Sequence, residues 1–205
     1  MKLVLASASP RRRDLLESIG LGFDVKPRDL DEVAVAGTLP PLEAATAVAA
    51  AKARAVPTVA GTVVLAADTI VVLDGETIGK PADAADARRM LLKLRNRVHT
   101  VVTAVNVRAA DTEWAAALES TVRMRDYGDH EVEAYVAGGG GLDKAGAYGI
   151  QDDGFLPVET IEGCYCNVMG LPLWTAYRLL REAGCVAPRR PGDVLSRCSV
   201  CPMRP

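Results

Sequence analysis

Apolar and polar positions along the chain switch repeatedly between the two-residue period of strands and the 3.6-residue period of helices. Lys2 to Ala6 is a short apolar run that predicts a strand. It feeds a helix over Pro10 to Ile19, with Ser9 as N-cap, Pro10 in the first turn and Gly20 as the stop. Leu42 to Val56 predicts an alanine-rich helix halted by Pro57, its stripe made by Leu42, Ala45, Ala49, Ala53 and Val56. Val63 to Leu73 and Thr77 to Ile78 flank Asp74-Gly75, a dipeptide suited to a tight hairpin turn. Ala84 to Arg95 carries Ala87, Met90, Leu91 and Leu94 on one stripe, and Val98 to Val107 and Trp114 to Met124 read as long antiparallel strands. A short helix over Asp129 to Val136, a flexible glycine run from Gly138 to Gly141 and a last helix over Leu171 to Glu182 complete the pattern. This alternation predicts an α/β fold around a mixed β-sheet with flanking helices, in one domain over residues 1–186. Residues 187–205, with prolines at 188, 191, 202 and 205, predict a loose tail.

Two charges break the pattern where burial is expected. At 100° per residue, Leu15, Leu16 and Ile19 set the inward stripe of the first helix, and Arg12 lies at its centre one turn earlier. An unpaired buried guanidinium is costly, so this placement requires an anion there, either a protein carboxylate or a ligand phosphate. The free N–H groups at the helix start favour negative charge at the same place. Asp68 interrupts an apolar run from Val63 to Val72 that otherwise reads as a buried strand. It either closes a structural ion pair or faces a cleft as metal ligand or base.

Other charges fall at candidate cleft positions. Asp31 and Glu32 stand in a loop between two helices, and Lys52 lies on the edge of its helix stripe while Arg54 points away to solvent. Lys80 follows the hairpin in Gly79-Lys80-Pro81, and Lys144 sits among glycines and small residues, as a backbone approaching a ligand would. Residue 70 is isoleucine, so the Asp-x-Asp of a haloacid-dehalogenase phosphatase is absent. So are a Walker loop and the Cys-x5-Arg of a tyrosine phosphatase.

Composition narrows the field further. The 205 residues are 49% hydrophobic and 24% charged, with a formal net charge of −2, and the pI is near 5.8. This apolar content excludes disorder, and the charge balance disfavours non-specific nucleic-acid binding, which needs a cationic excess. No run reaches the roughly 18 apolar residues of a membrane span, and the N-terminal apolar run is too short for a secretory segment. A cytoplasmic location with no membrane partner is therefore expected. The two histidines, His99 and His130, exclude a multi-histidine metal centre, and His99 reads as a strand-end residue rather than a general base. The five cysteines do not read as a secreted disulfide framework, so reduced thiols are expected. Cys164 and Cys166 with Cys198 and Cys201 offer four thiolates to zinc, but the 31 residues between the pairs and the Pro-rich tail weaken that reading.

Five ordered motifs carry a resemblance. Ser-Ala-Ser-Pro-Arg-Arg at 7–12, Ala-Asp-Thr at 67–69, Gly-Lys-Pro at 79–81, Asp-Lys-Ala-Gly-Ala-Tyr-Gly-Ile-Gln at 143–151 and Ile-Glu-Gly-Cys-Tyr-Cys-Asn-Val-Met-Gly-Leu-Pro at 161–172 resemble the Maf family of nucleoside triphosphate pyrophosphatases. The resemblance runs over about residues 2–182. It implies an elongated sheet with two lobes around a cleft, related to inosine triphosphate pyrophosphatases. It implies a divalent metal, Mg²⁺ or Mn²⁺, and a homodimer. The implied reaction is hydrolysis of a nucleoside triphosphate to the monophosphate and pyrophosphate. The family's proton-accepting aspartate falls on Asp68 and its loop acid on Glu32, the pair that would hold the metal. Its phosphate-binding arginine falls on Arg12, beside Ser7 and Ser9, and its lysines on Lys52 and Lys80. Arg11, Thr69 and Gln151 match the dTTP/UTP branch, whereas the 7-methyl-GTP branch has tryptophan, glutamine and glutamate at these positions. The alternatives are that second specificity, or a non-catalytic role in septum formation. The Gln151 amide suits a uracil or thymine edge, offering an acceptor and a donor side by side. The glycine run at 138–141 and the two acids Asp152 and Asp153 depart from the family pattern.

Overall fold

Runs rich in Val, Leu, Ile and Thr supply most of the strands: β1 (Lys2–Leu5), β2 (Phe23–Val25), β3 (Thr62–Leu73), β4 (Glu76–Ile78), β5 (Val98–Ala109), β6 (Thr112–Met124) and β7 (Val158–Glu162). The helices are α1 (Pro10–Ser18), α2 (Glu32–Ala36), α3 (Pro41–Arg54), α4 (Ala84–Leu94), α5 (Asp129–Ala137), α6 (Tyr165–Met169), α7 (Leu173–Glu182), α8 (Pro191–Val194) and α9 (Ser196–Ser199). In this computed structural model, which describes residues 1–205, all seven strands join one sheet in the order β2-β1-β3-β5-β6-β7, with β4 on the far end of β3. β1 is parallel to β2 and β3, and every other pair is antiparallel. The fold is therefore the mixed α/β sheet that the periodicity predicts. Asp74 and Gly75 both take positive φ, 53° and 81°, as the tight β3–β4 hairpin requires.

Alternation along β3 divides its side chains between two faces. Val63, Leu65 and Ala67 enter a core with Leu15 and Leu16 of α1 and Leu173 and Leu180 of α7. Val64 and Ala66 face the other way, against Ala53 at the end of α3 and Val56 just past it. A further core packs Leu91 of α4 and Val132 of α5 against Val71, Val101 and Val122. Pairing along one edge of β3 is discontinuous. β1 covers only Thr62 to Leu65, and β4 only Val71 to Leu73. Between them β3 has a strand partner on the β5 side alone, and Asp68 and Thr69 lie in that gap.

Several segments differ from the sequence-based expectation. Glu32 opens a short helix rather than lying in a loop, and Asp31 caps it by accepting from the Ala34 N–H at 2.9 Å. Ser9 occupies the cap position of α1, but its side chain makes no capping bond. The glycines at 138–141 form a tight turn rather than a slack one: Gly141 has φ +84°, and a Cβ there would come within 2.1 Å of the Ala147 carbonyl. Residues 187–205 are docked, not loose. Pro191, Cys198 and Cys201 are buried, Trp174 Nε1 donates to the Cys198 carbonyl at 2.8 Å, and the Arg189 N–H donates to the Ile19 carbonyl at 3.1 Å. Helix α7 is thus not the last. No helix is long and apolar enough to cross a membrane.

Candidate active site

The gap beside β3 opens into a cleft of about 700 Å³, lined by residues from the β1–α1 junction, β3, α2, α3 and the loops around 80, 144 and 150. All ten candidate residues line it: Ser7, Ser9, Arg11, Arg12, Glu32, Lys52, Asp68, Thr69, Lys80 and Gln151. Arg28 and Lys144 add to the cations and Asp29 and Asp143 to the carboxylates, leaving six cations against four carboxylates on a chain of net charge −2.

Strand parity explains the two halves of the charge arrangement. Asp68 continues the Val64 and Ala66 face, toward α3, and its Oδ1 accepts from Lys52 Nζ at 2.8 Å. The same Nζ lies 2.8 Å from Glu32 Oε1. One lysine thus bridges two carboxylates, and Asp68 both closes an ion pair and faces the cleft. The other oxygen of each carboxylate accepts no hydrogen bond from the protein.

Thr69 continues the opposite face, toward α1, where Arg12 is 9% exposed. Arg12 Nε donates to the Gly170 carbonyl at 2.8 Å, Nη1 to Ser7 Oγ at 3.0 Å and Nη2 to Thr69 Oγ1 at 3.0 Å. The chain of bonds continues through Thr103 Oγ1, 3.0 Å from Thr69 Oγ1, to the Asn167 carbonyl at 2.8 Å. Thr69 and Thr103 face each other in the β3–β5 register. Gly170 reaches this position with φ +106°, and a Cβ there would stand 3.3 Å from Thr69 Oγ1 and 3.6 Å from Arg12 Nε. All three partners of Arg12 are neutral oxygens, and no carboxylate pairs with it. Burial pulls its pKa below the ordinary arginine value, and the Asp68 charge opposes that shift only from a distance. Three of its five N–H groups are held by the protein, leaving two for a ligand.

The outer wall is a second network. Arg11 Nη1 and Lys144 Nζ each lie 2.8 Å from an oxygen of Asp143. Burial raises the Asp143 pKa, but the hydrogen bonds from Lys144 and Arg11 outweigh it and hold the carboxyl below its ordinary value. Lys144 also reaches Asp152 at 3.5 Å, and Asp152 accepts from the Tyr135 hydroxyl. Lys80 is exposed at the rim and joins no ion pair. Gln151 Oε1 is buried and has no hydrogen-bond partner. His99 takes no part: it is buried in β5, with Nε2 2.7 Å from the Tyr148 hydroxyl. Sequence reasoning missed Thr103 and Asn167, which support Arg12, and Arg28, whose loop carries no local signal.

No group of three or more His, Cys, Asp or Glu side chains is arranged to hold a metal by itself. The free oxygens of Asp68 and Glu32 nonetheless suit a hard divalent cation of the Mg²⁺ type. Such an ion takes one or two carboxylates and completes its shell with phosphates and water.

The model of the family described as Maf-like protein matches residues 2–183. The dTTP/UTP pyrophosphatase of Anaeromyxobacter dehalogenans (strain 2CP-C) is 51% identical over 187 residues, covering 89% of this chain and 94% of that protein. That of Thermomicrobium roseum is 44% identical over 207 residues, covering 100% of this chain and 95% of that protein. Among solved structures, a HAM1 protein from Coxiella burnetii superposes with a TM-score of 0.52 at 15% identity, covering 89% of this chain and 99% of that one. At that identity the likeness is one of fold.

Proposed function

Because this chain belongs to the Maf family, we propose that it is a dTTP/UTP pyrophosphatase, a hydrolase that opens the α–β phosphoanhydride to release the nucleoside monophosphate and pyrophosphate. The observation that carries this reading is Arg12, a buried guanidinium with only neutral partners at the edge of a cationic cleft. Such a charge needs an anion, and no carboxylate of the protein touches it.

Two N–H groups of Arg12 grip the triphosphate, and Lys80 at the rim neutralises the charge that develops on the departing pyrophosphate. Lys52 holds Asp68 and Glu32 in place, and the free Asp68 oxygen accepts the proton of the attacking water. The water oxygen bonds to phosphorus as the anhydride P–O bond breaks, and its proton passes to Asp68 and then to solvent. Asp68 and Glu32 would hold Mg²⁺ or Mn²⁺, which when bound supplies neutralisation of the triphosphate and a more acidic water. Gln151 reads the base: its unpartnered Oε1 suits the single ring N–H of uracil or thymine, and its NH₂ a flanking carbonyl. Thr69, its hydroxyl engaged by Arg12 and Thr103, acts as the support of Arg12 rather than as a base contact.

Pyrophosphate release from dTTP, UTP, dATP and 7-methyl-GTP, with Mg²⁺ or Mn²⁺ and with chelator, tests the reading. The pyrimidine nucleotides should lead, and Asp68→Asn should keep its circular dichroism while losing at least about 100-fold in kcat. Silence across the panel, or full activity in Asp68→Asn, would overturn it.

A further inference from the structure

The phosphate chemistry leaves the cysteines unused. All five are buried and none forms a disulfide. Four converge, although 31 residues separate their two pairs in the chain. Cys164 and Cys166 stand at the start of α6, Cys198 on α9 and Cys201 just past it. Cys166 Sγ is 3.4 Å from Cys198 Sγ, and the Cys164 and Cys201 thiols lie beside that pair. Their exposures are 2%, 1%, 1% and 8% in chain order. Cys185 stands outside this set.

We propose that Cys164, Cys166, Cys198 and Cys201 are the four ligands of a structural zinc ion that fastens the C-terminal segment to the body of the domain.

The ligand spacing is that of a two-part site: Cys-x-Cys on one segment and Cys-x-x-Cys on the other, each pair short enough to reach one ion. The packing also fits. Zinc at about 2.3 Å from each of four sulfurs sets sulfur–sulfur separations of about 3.8 Å. The Cys166–Cys198 pair is within a few tenths of an ångström of that, whereas a disulfide would require it to close to about 2.05 Å. Without an ion the four sulfurs are not arranged around a common point. Binding changes that: four Cys–SH and Zn²⁺ give a tetrathiolate of charge −2 and four released protons. Donors for that charge are present. The backbone N–H groups of Cys166 and Asn167 lie near the Cys164 sulfur and that of Met203 near Cys201, the Asn167 N–H also donating to the Cys164 carbonyl at 3.0 Å. The Arg197 guanidinium, next to Cys198 in sequence, lies 5.5 Å from the centre of the Tyr165 ring, between Cys164 and Cys166 in sequence.

The segment also needs an anchor. Helices α8 and α9 have four residues each, far too few to persist alone. A metal cross-link between α6 and α9 supplies what their propensity lacks.

The test is the metal content of the purified full chain, with zinc release followed by a chromophoric chelator as a mercurial titrates the thiols. About one zinc per chain is expected, released as four thiols react. Cys198→Ser and Cys201→Ser should lower the content to about a tenth or less, with Cys185→Ser unchanged. Should the serine variants fail to fold, Co²⁺ added to metal-stripped wild type should give the intense charge-transfer spectrum of a tetrahedral thiolate site. Wild-type chain that binds no zinc and gives no such cobalt spectrum overturns the proposal. So does an intact mass lower by two hydrogens under non-reducing conditions, which would replace the ion with a Cys166–Cys198 disulfide.

Discussion

At the scale of single residues, the cleft depends on how Arg12 is held rather than on its charge alone. Three neutral acceptors fix the guanidinium plane and aim its remaining donors. A lysine ammonium can carry the charge but cannot satisfy three acceptors spread around a planar fork. Arg12→Lys should therefore lower kcat/KM by at least about 100-fold for every nucleotide in the panel. Equal losses for dTTP and dATP would mark a phosphate contact, and a loss confined to one base would place Arg12 at the base instead. Gln151 makes the opposite prediction. Gln151→Glu cannot donate to a pyrimidine carbonyl, so kcat/KM for UTP should fall by about 10- to 100-fold. Hydrolysis of a guanine nucleotide should fall less or rise, measured in the same pyrophosphate assay. Arg12 was legible because it falls on an apolar stripe, and Asp68 because it interrupts an apolar strand. Thr103 was not. Threonine is an ordinary strand residue, and only the register that sets it opposite Thr69 makes it part of the site.

At the scale of elements, β3 does the sorting, because consecutive residues of one strand serve opposite faces. Asp68 meets Lys52 of α3, Thr69 meets Arg12 of α1, and the absence of a strand neighbour at this point lets both reach one cleft. The long elements were legible because a period needs length to show. The short ones, β2, β7, α6, α8 and α9, have three to five residues and lie below any period. His99 gives strand β5 a pH signature. Burial lowers its pKa from 6.5 to about 4, so the folded chain keeps it neutral where the unfolded chain protonates it. The unfolded state then binds the extra proton between those values, and stability is lost as pH falls from about 6.5 toward 4. The full loss is about 3 kcal/mol. Urea midpoints at pH 7 and pH 5 should differ in that direction, and His99→Gln should flatten this part of the profile. A profile unchanged by the substitution would assign the acid sensitivity to other groups.

At the scale of the whole molecule, the candidate cleft and the C-terminal segment lie in separate parts of one fold. None of the residues 187–205 lines the cleft, whereas Ala187, Cys198 and Cys201 belong to the core that α1, α7 and the first half of β3 share. The prolines of this segment suggested slackness because proline breaks helices. The deciding signal was instead the small apolar and cysteine residues between them, which carry no period over so short a stretch. Ending the chain at Val186 would expose the Trp174 indole, leave its N–H without the Cys198 carbonyl, and uncover one side of Cys166. Lost burial and the broken Trp174 hydrogen bond together amount to a destabilisation of at least about 3 kcal/mol, or about 10 °C in Tm for a chain of this size. Arg12, Asp68 and Lys52 draw their partners entirely from residues before 187, so their geometry should persist in the molecules that remain folded. Differential scanning calorimetry should show the lowered transition, and pyrophosphate release well below it should stay within about twofold of the full chain per folded molecule. A truncated chain with normal Tm would mean that the segment packs without stabilising. One with normal Tm and no turnover would mean that it shapes the cleft from outside.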